Sequence, residues 1–237
     1  MVDTLFSWSP ANASQFQRIS IEALLGPLND IEQKHAPRWL WIAGKQEIVQ
    51  AGPRAAIVGT REPSEQGARV AASVTKALVA ADVTIVSGLA KGIDTIAHQT
   101  AIENGGRTIA ILGTPLDRSY PSQNRALQEQ IMKEHLAISQ FPSSHPIEKR
   151  NFPLRNRTMA LLSHATVIIE AGDTSGTLHQ GREALRLGRP LFIHARILKS
   201  TSLRWPSQMQ RYGASVFSEP EDILQALPAS AGAIHAF

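Results

Sequence analysis

Val83-Thr84-Ile85-Val86-Ser87-Gly88-Leu89-Ala90-Lys91-Gly92-Ile93-Asp94 sets an apolar run, a glycine-spaced turn and the start of a helix end to end. The run is continuous rather than alternating, as in a strand covered on both faces. Working outward, the same unit recurs. Ala55 to Gly59 is a strand, and Ser64 to Ala80 has helical spacing with Val70, Val74, Ala77 and Leu78 on one face. Ile93 to Glu103 is a helix closed by Asn104-Gly105-Gly106, and Thr108 to Leu112 is the next strand. A helix over 123–134, a strand over 136–139, a helix over 156–162 and a strand over 165–170 follow. A helix over 177–187 and a strand over 190–193 complete the series. Strands alternating with helices of about three turns imply parallel strands joined by right-handed crossovers. The expected fold is α/β: an extended Rossmann-like, doubly wound, mostly parallel sheet with helices on both faces.

The flanks are less regular. Residues 1–14 read as a poorly ordered lead-in, Gln15 to Leu25 as a short helix ended by Gly26-Pro27, and Trp39 to Ile42 as a short strand. Past Lys199, Trp205 to Tyr212 suits a helix and Ser215 to Phe217 an edge strand. Pro220 opens a last helix. The expected organisation is a segment over 1–50, a Rossmann-like domain over 51–227 and a flexible tail over 228–237.

The chain has 237 residues, 43% of them hydrophobic, enough for a substantial core. It has no cysteine, which excludes disulfides and thiolate chemistry and fits a reducing cytoplasm. No secretory leader or membrane span is read from the sequence, so the expected location is cytoplasmic. The formal charge is +4, a basicity that permits a polyanionic partner without demanding one. Its distribution says more: Arg118, Arg125, Lys149, Arg150, Arg155 and Arg157 concentrate it in mid-chain.

In an open parallel sheet, ligands bind outside the carboxyl ends of the strands. Those ends here are Gly59-Thr60-Arg61, Ser87-Gly88-Leu89-Ala90-Lys91-Gly92, Gly113-Thr114 and Glu170 to Thr177, the last containing Ser175-Gly176-Thr177. Glycines admit a ligand close to the backbone, and helix N-termini offer free N–H groups. Any one turn is an ordinary strand-to-helix connection; together they form an extended phosphate-binding ridge. None is a dinucleotide fingerprint or a P-loop, so no cofactor is expected. The histidines lack metal-ligand spacing, and no catalytic constellation emerges. His179 reads as an exposed helix residue, Asp94 as a cap or loop brace, and Glu170 as a group that orients an arginine or a sugar hydroxyl.

Lys149-Arg150-Asn151-Phe152-Pro153-Leu154-Arg155-Asn156-Arg157 follows the fourth strand of the series. Cations neutralise phosphates, amides bond sugars or base edges, and a phenyl ring stacks on a base. On this reading Arg61, Lys91, Lys149 and Arg155 contact phosphates and Phe152 faces a base. Asn151 and Asn156 bond the strand or hold the loop. Structurally, Asn156 and Arg157 start a helix and brace the loop against Glu170 or Asp94.

These blocks, in this order, resemble the DprA/Smf family of DNA-processing proteins. Gly59-Thr60-Arg61-Glu62-Pro63-Ser64 is similar to its GSR-x-P-[ST] start, and Ser87 through Asp94 to its SGLA-[RK]-GID signature. Gly113-Thr114 with Asp117, Tyr120-Pro121 and Asn124 resembles the GTG-x-D-x-x-YP-x-x-N block. Asn151-Phe152-Pro153 with Arg155-Asn156-Arg157 resembles NFP-x-RNR, and Ser175-Gly176-Thr177 with Gly188-Arg189 the last segment. The resemblance implies a protein that binds single-stranded DNA, protects it, loads a RecA-type recombinase and works as a homodimer, with no established catalysis. The chain departs from the family at His194-Ala195-Arg196, where Val-Pro-Gly is usual, and its end segments are expected to be too short for full flanking helical and winged-helix domains.

A nucleotide sensor or a phosphoribohydrolase-like enzyme of related fold is the alternative. The turn of those hydrolases expects a glutamate where Gln180 stands, which argues against hydrolysis. An adaptor role through Trp39, Trp41 and Trp205 competes with simple core packing.

Overall fold

The computed structural model describes residues 16–200 and 202–228, so residues 1–14 and 229–237 of the expected lead-in and tail lie outside the described residues. A single sheet organises them. Its strands are β1 (Gln17–Ser20), β2 (Trp39–Gly44), β3 (Arg54–Val58), β4 (Thr84–Ser87), β5 (Thr108–Leu112), β6 (Leu136–Ser139), β7 (Ala165–Ile168), β8 (Leu191–His194) and β9 (Ser215–Phe217). They lie in the order β1-β2-β6-β5-β4-β3-β7-β8-β9. Strands β3 to β9 are mutually parallel, while β2 runs antiparallel to β6 and β1 antiparallel to β2. The expected doubly wound, mostly parallel sheet is present.

The helices are α1 (Ile21–Leu25), α2 (Asp30–Gln33), α3 (Glu65–Ala80), α4 (Ile93–Glu103), α5 (Arg125–Glu134), α6 (Asn151–Leu162), α7 (Thr177–Arg186), α8 (Trp205–Arg211) and α9 (Pro220–Leu224). Side chains alternate across each strand and feed two apolar layers. Ile57, Ile85 and Val167 pack with Val74 and Leu78 of α3 and with Ile93 and Ala97 of α4. Val58, Val86 and Ile168 point the other way, toward Met159 and Leu162 of α6 and Leu178 of α7. Trp205 is buried in that second layer, while Trp39 lies beneath the Arg18 guanidinium at 4.4 Å.

The strand order reverses at β3, which pairs with β4 on one side and β7 on the other. A crevice opens at the carboxyl ends of strands at such a reversal. Helix α6 supplies the long return crossover from β6 to β7.

The structure corrects several expectations. Residues 17–20 form an edge strand, with Ile19 opposite Leu40, and only Ile21–Leu25 is helical. Ser20 sets that boundary: its Oγ accepts a bond from Ala23 N at 3.1 Å. Strands β1 and β2 extend the main sheet, so the boundary drawn between residues 50 and 51 crosses continuous strand pairing. Helix α6 starts at Asn151 rather than Asn156. Pro153 falls in its first turn, where no intrahelical N–H partner is required.

The amino ends of the strands close over a buried polar cluster. Arg54 is 1% exposed; its Nε donates to Leu162 O at 2.5 Å and its Nη1 to Val49 O. Arg189 donates to Ser163 O at 2.5 Å and pairs with Glu32 at 2.8 Å. Burial, with Arg189 adding repulsion, lowers the Arg54 pKa to about 10. Burial, with both arginines adding repulsion, lowers that of His164 to about 3.

Candidate nucleic-acid interface

Hydrogen bonds stitch the turns after β3, β4 and β7 together at the carboxyl edge. Thr60 N donates to Glu170 O at 2.7 Å, Ile93 N to Thr60 O at 3.2 Å, and Thr177 Oγ1 to Gly59 O at 3.0 Å. A cavity of about 440 Å³ lies among them. Gly59, Thr60, Arg61, Ala90, Phe152, Arg155, Asn156, Ser175, Gly176 and Thr177 line it, so the crevice gathers residues from every block except Gly113-Thr114.

Two buried residues of opposite charge, Asp94 and Arg155, stand among the residues that line it. Asp94 is 5% exposed and Arg155 6%. Asp94 Oδ2 accepts from Ala90 N at 3.3 Å, and Arg155 Nη1 donates to Ile111 O at 3.1 Å. Burial raises the Asp94 pKa, and the Arg155 charge opposes that rise. Burial lowers the Arg155 pKa; Asp94 counters it and Arg61 reinforces it. Gly88 makes the arrangement sterically feasible, because a Cβ there would sit 1.4 Å from Arg155 Nη1. Arg155 is thus part of the charged lining rather than a free arm. Its Nε has no partner among the described residues.

The N-terminus of α3 is already occupied. Glu170 accepts from Ser64 N at 3.3 Å and from Ser64 Oγ at 2.9 Å. Ser64 Oγ in turn accepts from Gly67 N at 3.0 Å, capping the helix. Gly67 admits the carboxylate, since a Cβ would lie 1.8 Å from Glu170 Oε2. In a dinucleotide fold this first helix receives a pyrophosphate. Here the protein's own anion fills that position. Glu170 therefore orients Ser64, not the arginine expected from the sequence.

Helix α6 delivers the basic segment. Phe152 is half-buried on the cavity wall, its ring centroid 5.4 Å from that of Tyr120. Asn151 is fully buried and holds the preceding loop, donating to Pro146 O at 3.0 Å. Asn156 Nδ2 donates to Gly176 O at 3.1 Å and so positions the turn before α7. Arg157 pairs with Glu183 at 3.2 Å, not with Glu170 or Asp94. Arg61, Lys91 and Lys149 are exposed, and among the described residues none of them makes an ion pair.

Ser87 lies outside the cavity: it is fully buried and donates to Ile57 O at 2.7 Å. Gly88 lies beneath Arg155, and Lys91-Gly92 form the turn into α4 beside the cavity. His179 is exposed on α7. Gly172 and Thr174, within the Glu170 to Thr177 turn, also line the cavity; sequence reasoning missed Met159 and Gln180 there and Tyr120 as the neighbour of Phe152. The exposed Tyr120 ring stood within a quoted block, but nothing local to it announced the contact. No group of His, Asp and Glu able to hold a metal ion occurs among the described residues.

Comparison with known proteins places this architecture. The sequence profile of the family described as DNA recombination-mediator protein A matches residues 25–228. The "DNA processing protein DprA" of Streptococcus pneumoniae is 37% identical over 217 residues, 90% of this chain and 76% of its own. "Protein Smf" of Synechocystis is 47% identical over 140 residues, 59% of this chain but 35% of its own length. The crystal structure of the S. pneumoniae DprA superposes with a TM-score of 0.77 at 35% identity, covering 91% of this chain and 75% of that one. A DprA structure from Helicobacter pylori, described as revealing a single-stranded DNA binding mode, gives 0.74 at 26% identity, covering 90% and 96%. With most of its length matched by the profile and by a relative of this similarity, the chain belongs to the DNA recombination-mediator protein A family, the DprA/Smf proteins.

Proposed function

We propose that the crevice at the carboxyl edge binds single-stranded DNA and that the protein serves DNA processing in recombination. One observation carries the reading: a half-buried aromatic ring, Phe152, shares a cavity with Arg61 and Arg155, while Lys91 and Lys149, close by in sequence, make no ion pair among the described residues. That combination suits a flexible strand whose bases stack and whose phosphates meet cations and helix N-termini. The binding mode described for the H. pylori relative supports it. A nucleotide cofactor has less support, because Glu170 occupies the helix N-terminus a pyrophosphate would need.

Fluorescence anisotropy with oligothymidylate and with a duplex of equal length, across a salt series, tests the reading. Single strands bind more tightly, and affinity falls as salt rises. Preference for the duplex, or no binding to either, overturns it. The family resemblance extends the proposal to a homodimer and a RecA-type recombinase partner. Light scattering on the purified chain and co-precipitation with a RecA protein test these two points separately.

A further inference from the structure

A second cavity, of about 320 Å³, lies beside the first. Thr60 and Gly172 line both, so the two are contiguous across one saddle. The second has apolar walls from Val70, Ile197 and Leu203 and a polar edge containing Glu170, His194 and Arg196.

Arg196 brings one cation to this lining and Glu170 one anion, so the cavity has no net positive charge to draw a phosphate. The Glu170 carboxylate is pinned by Ser64 N and Oγ and would repel one. Its remaining lone pairs are free to accept further bonds. His194 is 8% exposed, and its Nδ1 accepts from Arg196 N at 3.3 Å. The neutral ring therefore carries its proton on Nε2 and donates there. The Phe217 ring, edge-on at 5.1 Å, fixes the imidazole. An acceptor and a donor on one edge, between apolar walls, match a nucleobase: flat apolar faces and a mixed polar rim.

We infer that this second cavity is a subsite for a nucleobase of the strand bound in the first, and that it favours bases with an exocyclic amino group. The inference rests on the DNA-binding reading above. Cytosine presents an N4 amino group to Glu170 and ring acceptors to His194. Thymine carries a carbonyl where cytosine carries that amino group.

The test compares twelve-residue oligocytidylate and oligothymidylate, both weakly self-stacking, at slightly alkaline pH. Wild type binds the cytosine strand roughly five- to tenfold more tightly, at the low end of what one good base-edge contact discriminates. Glu170→Gln removes the anionic acceptor. Ser200→Trp fills the cavity mouth from an exposed position and leaves Glu170 in place. Both variants bring the ratio of the two affinities to about one, with circular dichroism confirming their fold. Wild type that binds both strands equally overturns the subsite and leaves the DNA-binding reading standing. So does a ratio that survives Ser200→Trp. Wild type that binds neither strand overturns both.

Discussion

The two ends of the sheet use arginine in opposite ways. At the amino ends, Arg54 and Arg189 are enclosed, tied to Val49, Leu162 and Ser163 carbonyls and to Glu32. At the carboxyl ends, Arg155 is equally buried but faces a cavity, and Arg61 stands exposed beside it. One end ties its arginines to three carbonyls and a carboxylate and closes the fold, although Arg54 Nη2 and Arg189 Nε keep no partner among the described residues. The other leaves a positive excess over its single buried carboxylate, Asp94. Burial alone therefore does not separate a structural arginine from a binding one. All three arginines donate to protein carbonyls and keep an unpartnered donor; what sets Arg155 apart is that it lines the crevice.

The comparison breaks most sharply at Glu32. Glu32→Ala leaves Arg189 uncompensated beside Arg54 and costs about 3–5 kcal/mol of stability. Urea unfolding measures that loss, while the DNA affinity of the folded protein stays unchanged. The reverse pattern is expected at Phe152. Phe152→Ala weakens oligothymidylate binding by about 1–3 kcal/mol in an anisotropy titration, with a smaller effect on melting. Arg61→Ala and Lys149→Ala each lower the slope of log affinity against log salt by about 0.7, the signature of one lost phosphate contact to a single strand. A slope unchanged in both would mean that the outward charges are mere surface.

The smallest effect is a pH dependence. His98, fully buried and bonded through Nδ1 to Thr108 Oγ1 at 2.7 Å, has its pKa lowered by burial to about 3, as does His164. Both are neutral when folded, while in the unfolded chain they take up protons below about pH 6.5. Stability is thus complete above that pH and declines below it, by about 1 kcal/mol per pH unit for a fully buried imidazole such as His98. Melting curves between pH 7 and pH 5 check the sign, and His98→Gln flattens the profile.

Much of this was legible in the sequence, for a physical reason. Strands β3 to β8 are buried on both faces and announce themselves as short apolar runs, and glycines with hydroxyls mark where they end. Strand β1 hid because an edge strand of Gln17-Arg18-Ile19-Ser20 has one strongly apolar residue and no alternation to read. The start of α6 hid behind Pro153, whose breaking effect vanishes in a first turn. The crevice was legible as a set of turns, not as an arrangement. Asp94 sharing a lining with Arg155 and Glu170 capping Ser64 depend on chain reversals that only the strand order supplies; the latter contact spans 106 residues. Arg155 looked like any other cation in a basic run until its neighbours placed it in the crevice lining.

Helix α6 joins the two ends just compared. Its first turn presents Phe152 to the crevice, and its last carbonyl, that of Leu162, receives Arg54 at the far side. At about 1.5 Å per residue it is a stiff rod some 18 Å long. The crevice and the closed end are therefore served by the two ends of one helix. The enclosed arginines bond the carbonyls at the far end of the same helix that carries the Phe152 ring.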